Sequence, residues 1–419
     1  MKSAMPNYRG WAGLLCLLLA ACGRSHGPML QEAYLWQRSW NGTVETAVRE
    51  APKEMGNIVV LGEEIAFKGS QPVVVRPAVR YDVFKECGIR PGIALRINRF
   101  NGNFAPAEPV TQKIVNDARE LISAARANGV EPGELQVDFD CPSARLHGYA
   151  NWLWVLRNAT SPIPVRFTAL PSWLKERGFS ELVAASDGFV LQVHSVSQPG
   201  IGLQEQTLCD PGLARQWVEE AARYGVFFRV ALPTYTSIAA FDEKGTVGGV
   251  TSEGASPHWP AGAQLRAYRA DAASLATLVK QWREDRPKKL VGIVWYRLPV
   301  ASDTMNWRWP TLAAVMQGRV PARHLKVEVS GGQPADIAVI NDGEDDVPLP
   351  AVVNAEWSEA TLQARDALGG YGAEAGEKSV RFVASPELSL ERLSPGTRRV
   401  IGWIRLSKSE PLHVTFTEK

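Results

Sequence analysis

Two aspartates stand two residues apart in Leu135-Gln136-Val137-Asp138-Phe139-Asp140, a segment that alternates apolar and polar side chains. A period of two marks a strand with unlike faces, Leu135, Val137 and Phe139 on one side and Gln136, Asp138 and Asp140 on the other. Two carboxylates on one strand face cannot both ionise freely, so one keeps its proton to higher pH. A protonated carboxyl working with an ionised one is equipment for glycosidic bond cleavage, the acid protonating the leaving oxygen while the second carboxylate acts as nucleophile or base. Asp140 and Glu64, on separate strands, are the candidate catalytic pair, with Asp138 tuning Asp140. The same alternation puts Arg96 and Asn98, Arg166 and Thr168, Gln192 and His194, and Arg229 and Tyr235 on the polar faces of their own segments. Asn98, His194 and Tyr235 are placed to orient a sugar. Trp36, Trp173 and Trp295, near strand ends, offer flat rings that stack on sugar faces.

Such residues need a frame that brings distant segments to one place. Eight short apolar runs recur, at residues 34–38, 58–65, 93–98, 135–140, 165–170, 189–194, 227–235 and 291–299, most of them followed by a helical pattern. That succession predicts a (β/α)8 TIM-type barrel, whose strands point alternate side chains into the lumen and whose functional groups gather at the C-terminal strand ends. Helical periodicity is carried by Ile114, Val115, Ala118, Leu121, Ile122 and Ala125 before Gly129, and by Leu213, Trp217, Ala221 and Tyr224 after Pro211. A third helix is expected through Leu265, Tyr268, Ala272, Leu275, Val279 and Trp282. The Asp242-Glu243-Lys244-Gly245 turn predicts a hairpin at the barrel mouth. Residues 71–87 are the weakest helical segment and read as partly extended. Beyond about residue 321 short strands between Gly, Asn, Asp and Pro turns predict a small β-sandwich-like domain. The expected divisions are a signal peptide over 1–21, a lipidated tether over 22–31, the barrel over 32–320 and the β domain over 321–419.

The amino terminus carries Lys2 and Arg9, then an apolar run from Trp11 to Ala21, too short to span a bilayer and suited to a signal sequence. It ends in Leu19-Ala20-Ala21-Cys22, which resembles the processing site of bacterial lipoproteins. The resemblance implies cleavage before Cys22, acylation of its thiol and, with Gly23 following, a cell-envelope location at the outer membrane. Cys87, Cys141 and Cys209 then remain, an odd number that excludes a disulfide-stapled scaffold but leaves a Cys141–Cys209 pair open. A net charge of +2 without a basic stripe argues against nucleic-acid binding. No zinc-binding spacing, Gly-x-Ser-x-Gly elbow or phosphate loop occurs, so neither a metal nor a cofactor is implied.

The run from Leu135 to Pro142, with Asn151-Trp152-Leu153 and Leu156-Arg157 after it, resembles the fourth-strand signature of the chitinase-like barrels, glycoside hydrolase family eighteen. There an Asp-x-Asp-x-Glu motif serves a Glu acid, and a tryptophan placed like Trp295 floors the sugar site. Pro142 stands where that Glu would be, so the chitinase mechanism requires another carboxylate here. Tyr34 to Trp40, Val137 to Pro142, Thr168 to Leu174, Leu191 to His194 and Ala231 to Tyr235 together resemble a family of bacterial exported proteins, domain of unknown function 3142, which implies a fold and no reaction. The expectation is a saccharide-directed barrel held at a membrane by its lipid. Glycoside hydrolysis and non-catalytic saccharide binding both stay open. So does a weaker third reading, an ion held by Asp138, Asp140 and His194.

Overall fold

The computed structural model describes residues 27–51, 55–69, 71–195, 205–252, 259 and 262–417. The expected signal segment and Cys22 lie outside the described residues. Eight parallel strands form a closed barrel: β1 (Leu30–Leu35), β2 (Met55–Lys68), β3 (Gly92–Ile97), β4 (Glu134–Phe139), β5 (Val165–Ala169), β6 (Phe189–Gln192), β7 (Phe228–Pro233) and β8 (Leu290–Tyr296). Each pairs with its sequence neighbours, and β1 closes the ring on β8 and β2. The first strand begins earlier than the expected residues 34–38, because Glu32 and Tyr34, with Trp36 after them, continue the inward alternation.

Helices cover the outside where local signals start and stop them. Pro109 opens Pro109–Ala127, whose Ile114, Val115, Ala118, Leu121, Ile122 and Ala125 are buried, and Gly129 follows in the left-handed region. Asp210 caps Pro211–Ala222 by accepting from the amides of Gly212 and Leu213. The helix expected from Leu265 starts instead at Ala272, where Asp271 accepts from the Ser274 amide at 2.6 Å. Gln264–Arg269 is a strand, because it pairs along its length with Thr236–Phe241, which also forms the expected hairpin with Val247–Thr251. Residues 71–75 extend antiparallel to the end of β2, and Tyr81–Cys87 is helical.

The carboxyl-terminal region is a sandwich of two four-stranded antiparallel sheets over one apolar core that includes Ile337, Val353, Phe382 and Ile404. It joins the barrel through Thr311 Oγ1 donating to the Glu344 carbonyl at 2.6 Å and Arg269 donating to the Leu390 carbonyl at 2.6 Å. Cys87 is exposed, Cys141 and Cys209 are buried, and all three are free thiols, so the Cys141–Cys209 pair does not form.

The lower lumen is ionic. Arg229 bonds both Glu134 oxygens at 2.9 Å and pairs with Glu32, while Arg166 pairs with Glu134 and Tyr34 donates to Gln136 at 2.7 Å. Burial pushes the Glu134 carboxyl up, but Arg229 and Arg166 outweigh it and leave that group below its ordinary value. Glu32 and Glu134 were not anticipated, although Glu134 continues the parity of Gln136 and Asp138. Removing the central cation leaves Glu32 without its ion-pair partner in a closed interior, and Glu134 with Arg166 as its remaining cation. Arg229→Met is expected to cost roughly 3–5 kcal/mol in chemical denaturation, since a buried charge loses its partner. A loss below about 1 kcal/mol would contradict that role.

Candidate functional site

Above the ionic floor, the lumen is lined by Tyr34, Val59, Leu61, Ala94, Val190, Ala231 and Val294, with Trp36 and Tyr296 at the upper edge. The mouth holds a cavity of about 180 Å³ lined by Tyr34, Trp36, Arg96, Asp138, Asp140, Thr168, Gln192, His194, Ala231, Tyr235 and Tyr296. Pockets for drug-sized ligands span roughly 300–1,000 Å³, so this one suits a single small ring better than an extended chain.

Its carboxylates differ sharply. Asp138 is buried, with one oxygen 2.6 Å from Arg96 Nη1 and the other accepting from Thr168 Oγ1 at 2.6 Å. Glu64 takes Arg38 on Oε2, at 2.6 and 3.0 Å, and Asn98 on Oε1 at 3.0 Å. Burial raises the Glu64 carboxyl, but Asn98 and Arg38 together hold it below its ordinary value. Asp140, just past the end of β4, reaches solvent and has no hydrogen-bonding or ion-pair partner among the described residues. Desolvation by the concave walls and repulsion from Asp138 raise it above its ordinary value, with Arg96 opposing. Burial works against the Arg96 cation, yet Asp138, Tyr296, Asp140 and Glu64 keep it above its ordinary value.

Glu64 faces inward because the strand is irregular. Strict alternation from Val59 and Leu61 would turn Glu63 into the lumen. The register with β3 slips between Leu61 and Glu63, so Glu63 points outward to Arg76 while Glu64 pairs in register with Arg96. Gly62 sits at the slip, where a Cβ would lie 2.6 Å from Ile93 Cγ2.

The aromatic wall is Trp36, edge-on to Tyr34 at 5.4 Å and to Tyr296 at 5.6 Å. His194 stacks on Tyr296 at 5.6 Å, and Tyr235 shares a 2.6 Å hydrogen bond with Ser195. Burial lowers His194 to about 3, so its imidazole is neutral at neutral pH. Trp36, His194 and Tyr235 therefore line one cavity with Asp138 and Asp140, whereas Asn98 and Glu64 bond to each other and are not part of its lining.

Two expected stacking residues are elsewhere. Trp295 lies between Val294 and Tyr296, which point inward, so by alternation it points outward; it is fully buried and donates to Gln31 at 2.7 Å. Trp173, in the short Pro171–Lys175 turn, is buried against Tyr149 at 6.3 Å in the layer between strands and helices. Neither ring can meet a ligand in the mouth. Tyr34 and Tyr296 were missed, although each has the parity of a lumenal neighbour, Trp36 and Val294. Among the described residues no group of three or more His, Cys, Asp or Glu side chains is placed to hold a metal.

The raised Asp140 carboxyl has a stability signature. Its folded value lies above the unfolded one, so it contributes nothing below about pH 3.8 and destabilises increasingly as pH rises through its folded value. Asp140→Asn is therefore expected to raise the thermal midpoint at pH 7 and to show no advantage near pH 3. An equal gain at both pH values would mean that charge is not the cause.

Solved structures that superpose on the chain include a chitinase from Chromobacterium violaceum (15% identity, TM-score 0.46, 70% of this chain and 99% of that one). The spore cortex-lytic enzyme SleL of Bacillus megaterium superposes too (12% identity, TM-score 0.49, 70% and 74%), as does a chitinase from Rhizomucor miehei (13%, 0.46, 69% and 99%). No curated protein matches the chain. Residues 328–407, in the sandwich, match a second domain of unknown function, DUF8456. Residues 89–301, which supply six of the eight barrel strands and most of the mouth, match the model of the domain of unknown function DUF3142, and the chain belongs to that family.

Proposed function

We propose that the barrel mouth binds one sugar residue of a glycan and hydrolyses its glycosidic bond, with Asp140 as general acid. The observation that carries this reading is the contrast among the carboxylates: Asp140 is unpartnered and raised, whereas Glu64 is held ionised by Arg38 and Asn98. Groups whose environments drive their protonation apart divide acid and anion roles between them. Protonated Asp140 gives its proton to the glycosidic oxygen as the bond to the sugar carbon breaks. The positive charge left on the ring is stabilised by the Asp138 carboxylate, which lines the same cavity as Asp140. Water then adds to that carbon and returns a proton to the Asp140 carboxylate, which closes the balance. Trp36 and Tyr296 supply the apolar wall for the ring, and Gln192, Thr168 and Tyr235 supply polar groups for its hydroxyls.

The same reading places the protein at the cell envelope, held by an acyl group on Cys22. It is supported by Leu19-Ala20-Ala21-Cys22 after a short apolar run that follows Lys2 and Arg9. Non-catalytic saccharide binding is the second reading, favoured by Pro142 at the expected acid position and by Glu64 having both oxygens engaged.

Turnover of a panel of aryl glycosides and reducing-end release from envelope glycans separate the two. Hydrolysis predicts release that falls roughly 10²–10⁴-fold in Asp140→Asn, the usual worth of a positioned acid, while saccharide binding persists. Saccharide binding that Trp36→Ala weakens, without turnover by the wild-type chain, would establish the binder instead.

A further inference from the structure

The end of the barrel opposite the mouth carries its own constellation. In the order β1-β8-β7, three adjacent strands begin side by side, and the residues at their starts are Leu30, Lys288 and Lys289, and Phe227. Phe227 is 65% exposed and Leu30 46%, high for apolar side chains. Lys289 Nζ lies 4.7 Å from the Phe227 ring centroid. Residues 283–289 carry Arg283, Arg286, Lys288 and Lys289 against Glu284 and Asp285, a net positive segment. Beside Leu30 opens a cavity of about 640 Å³, whose walls include Pro28, Met29, Ala313 and Met316 together with Arg283 and Arg286. The Arg286 Nε is buried there without a hydrogen-bond partner.

We propose that this foot is a phospholipid-binding surface, in which Phe227 and Leu30 enter the interface of an anionic bilayer, Lys288 and Lys289 meet its headgroups, and the cavity admits one lipid with its phosphate at Arg286. The choice of a membrane rests on the envelope reading above. Cys22 is five residues before Gly27, which lines the cavity, and so short a segment spans at most about 17 Å when fully extended. An acyl group on Cys22 therefore keeps this end close to the bilayer. Exposed aromatic and aliphatic side chains flanked by lysines match the apolar boundary and negative potential of such a surface. The mouth, at the opposite ends of the same strands, then faces away from the membrane.

The test uses the chain from residue 23 onward, which includes all residues of both described cores and no acyl group. It is expected to co-sediment with phosphatidylglycerol vesicles and not with phosphatidylcholine vesicles, and to release as salt rises. Each of Lys288→Ala and Lys289→Ala should weaken binding roughly fivefold, the effect of one cation near an anionic surface, and Phe227→Ser should weaken it further. Charge reversal by Lys288→Glu provides a second variant, and unchanged circular dichroism shows that each variant folds. Absence of vesicle binding, or binding that these substitutions leave intact, overturns the surface. The mass of Cys22 in the full chain expressed in bacteria reports acylation separately, so a failed anchor and a failed surface are distinguishable.

Discussion

The Arg96 guanidinium is one positive charge among three carboxylates, and the upper half of the barrel is organised around that imbalance. It pairs with Asp138 at 2.6 Å and feels Asp140 and Glu64 as well. Even with Arg38 beside Glu64, two cations face three carboxylates. Glu64 is therefore settled by Arg38 and Asn98, Asp138 by Arg96 and Thr168, and the surplus falls on Asp140, which is left with desolvation and repulsion. The lower lumen shows the contrasting arrangement, in which Arg229 and Arg166 balance Glu32 and Glu134. A balanced network holds a barrel together, whereas the unbalanced one at the open end leaves one carboxyl raised above its ordinary value.

Much of this frame was legible because barrel strands write their two faces into alternating residues. The eight segments, the inward Arg96, Asn98, Asp138, Thr168, Gln192 and Arg229, and the hairpin near Asp242 follow from that period and from turn chemistry. What escaped did so for local reasons. The slip at Gly62 reverses parity within β2, so counting from Val59 would have placed the wrong glutamate in the lumen. Trp295 and Trp173 were chosen for residue type near strand ends, yet alternation already assigns Trp295 outward, and a short turn folds Trp173 beneath the helices. The strand at Gln264–Arg269 looked helical because its apolar residues run in phase with the following helix. Only its pairing with Thr236–Phe241 decides the matter, and a sequence does not display that partner.

The two ends of the barrel thus carry different chemistry on one set of strands: an acid-bearing aromatic cavity where the strands end, and exposed apolar and cationic residues where they begin. Parallel strands make this polarity unavoidable, since every strand contributes one residue set to each end. The central claim, that the mouth maintains one carboxyl poised to hold a proton, is tested most directly by following the side-chain carboxyl carbons through a pH titration by nuclear magnetic resonance. The account predicts one aspartate signal titrating clearly above the ordinary range, absent in Asp140→Asn and displaced when a saccharide ligand is added. An Asp140 carboxyl that titrates at or below the ordinary aspartate value would contradict it.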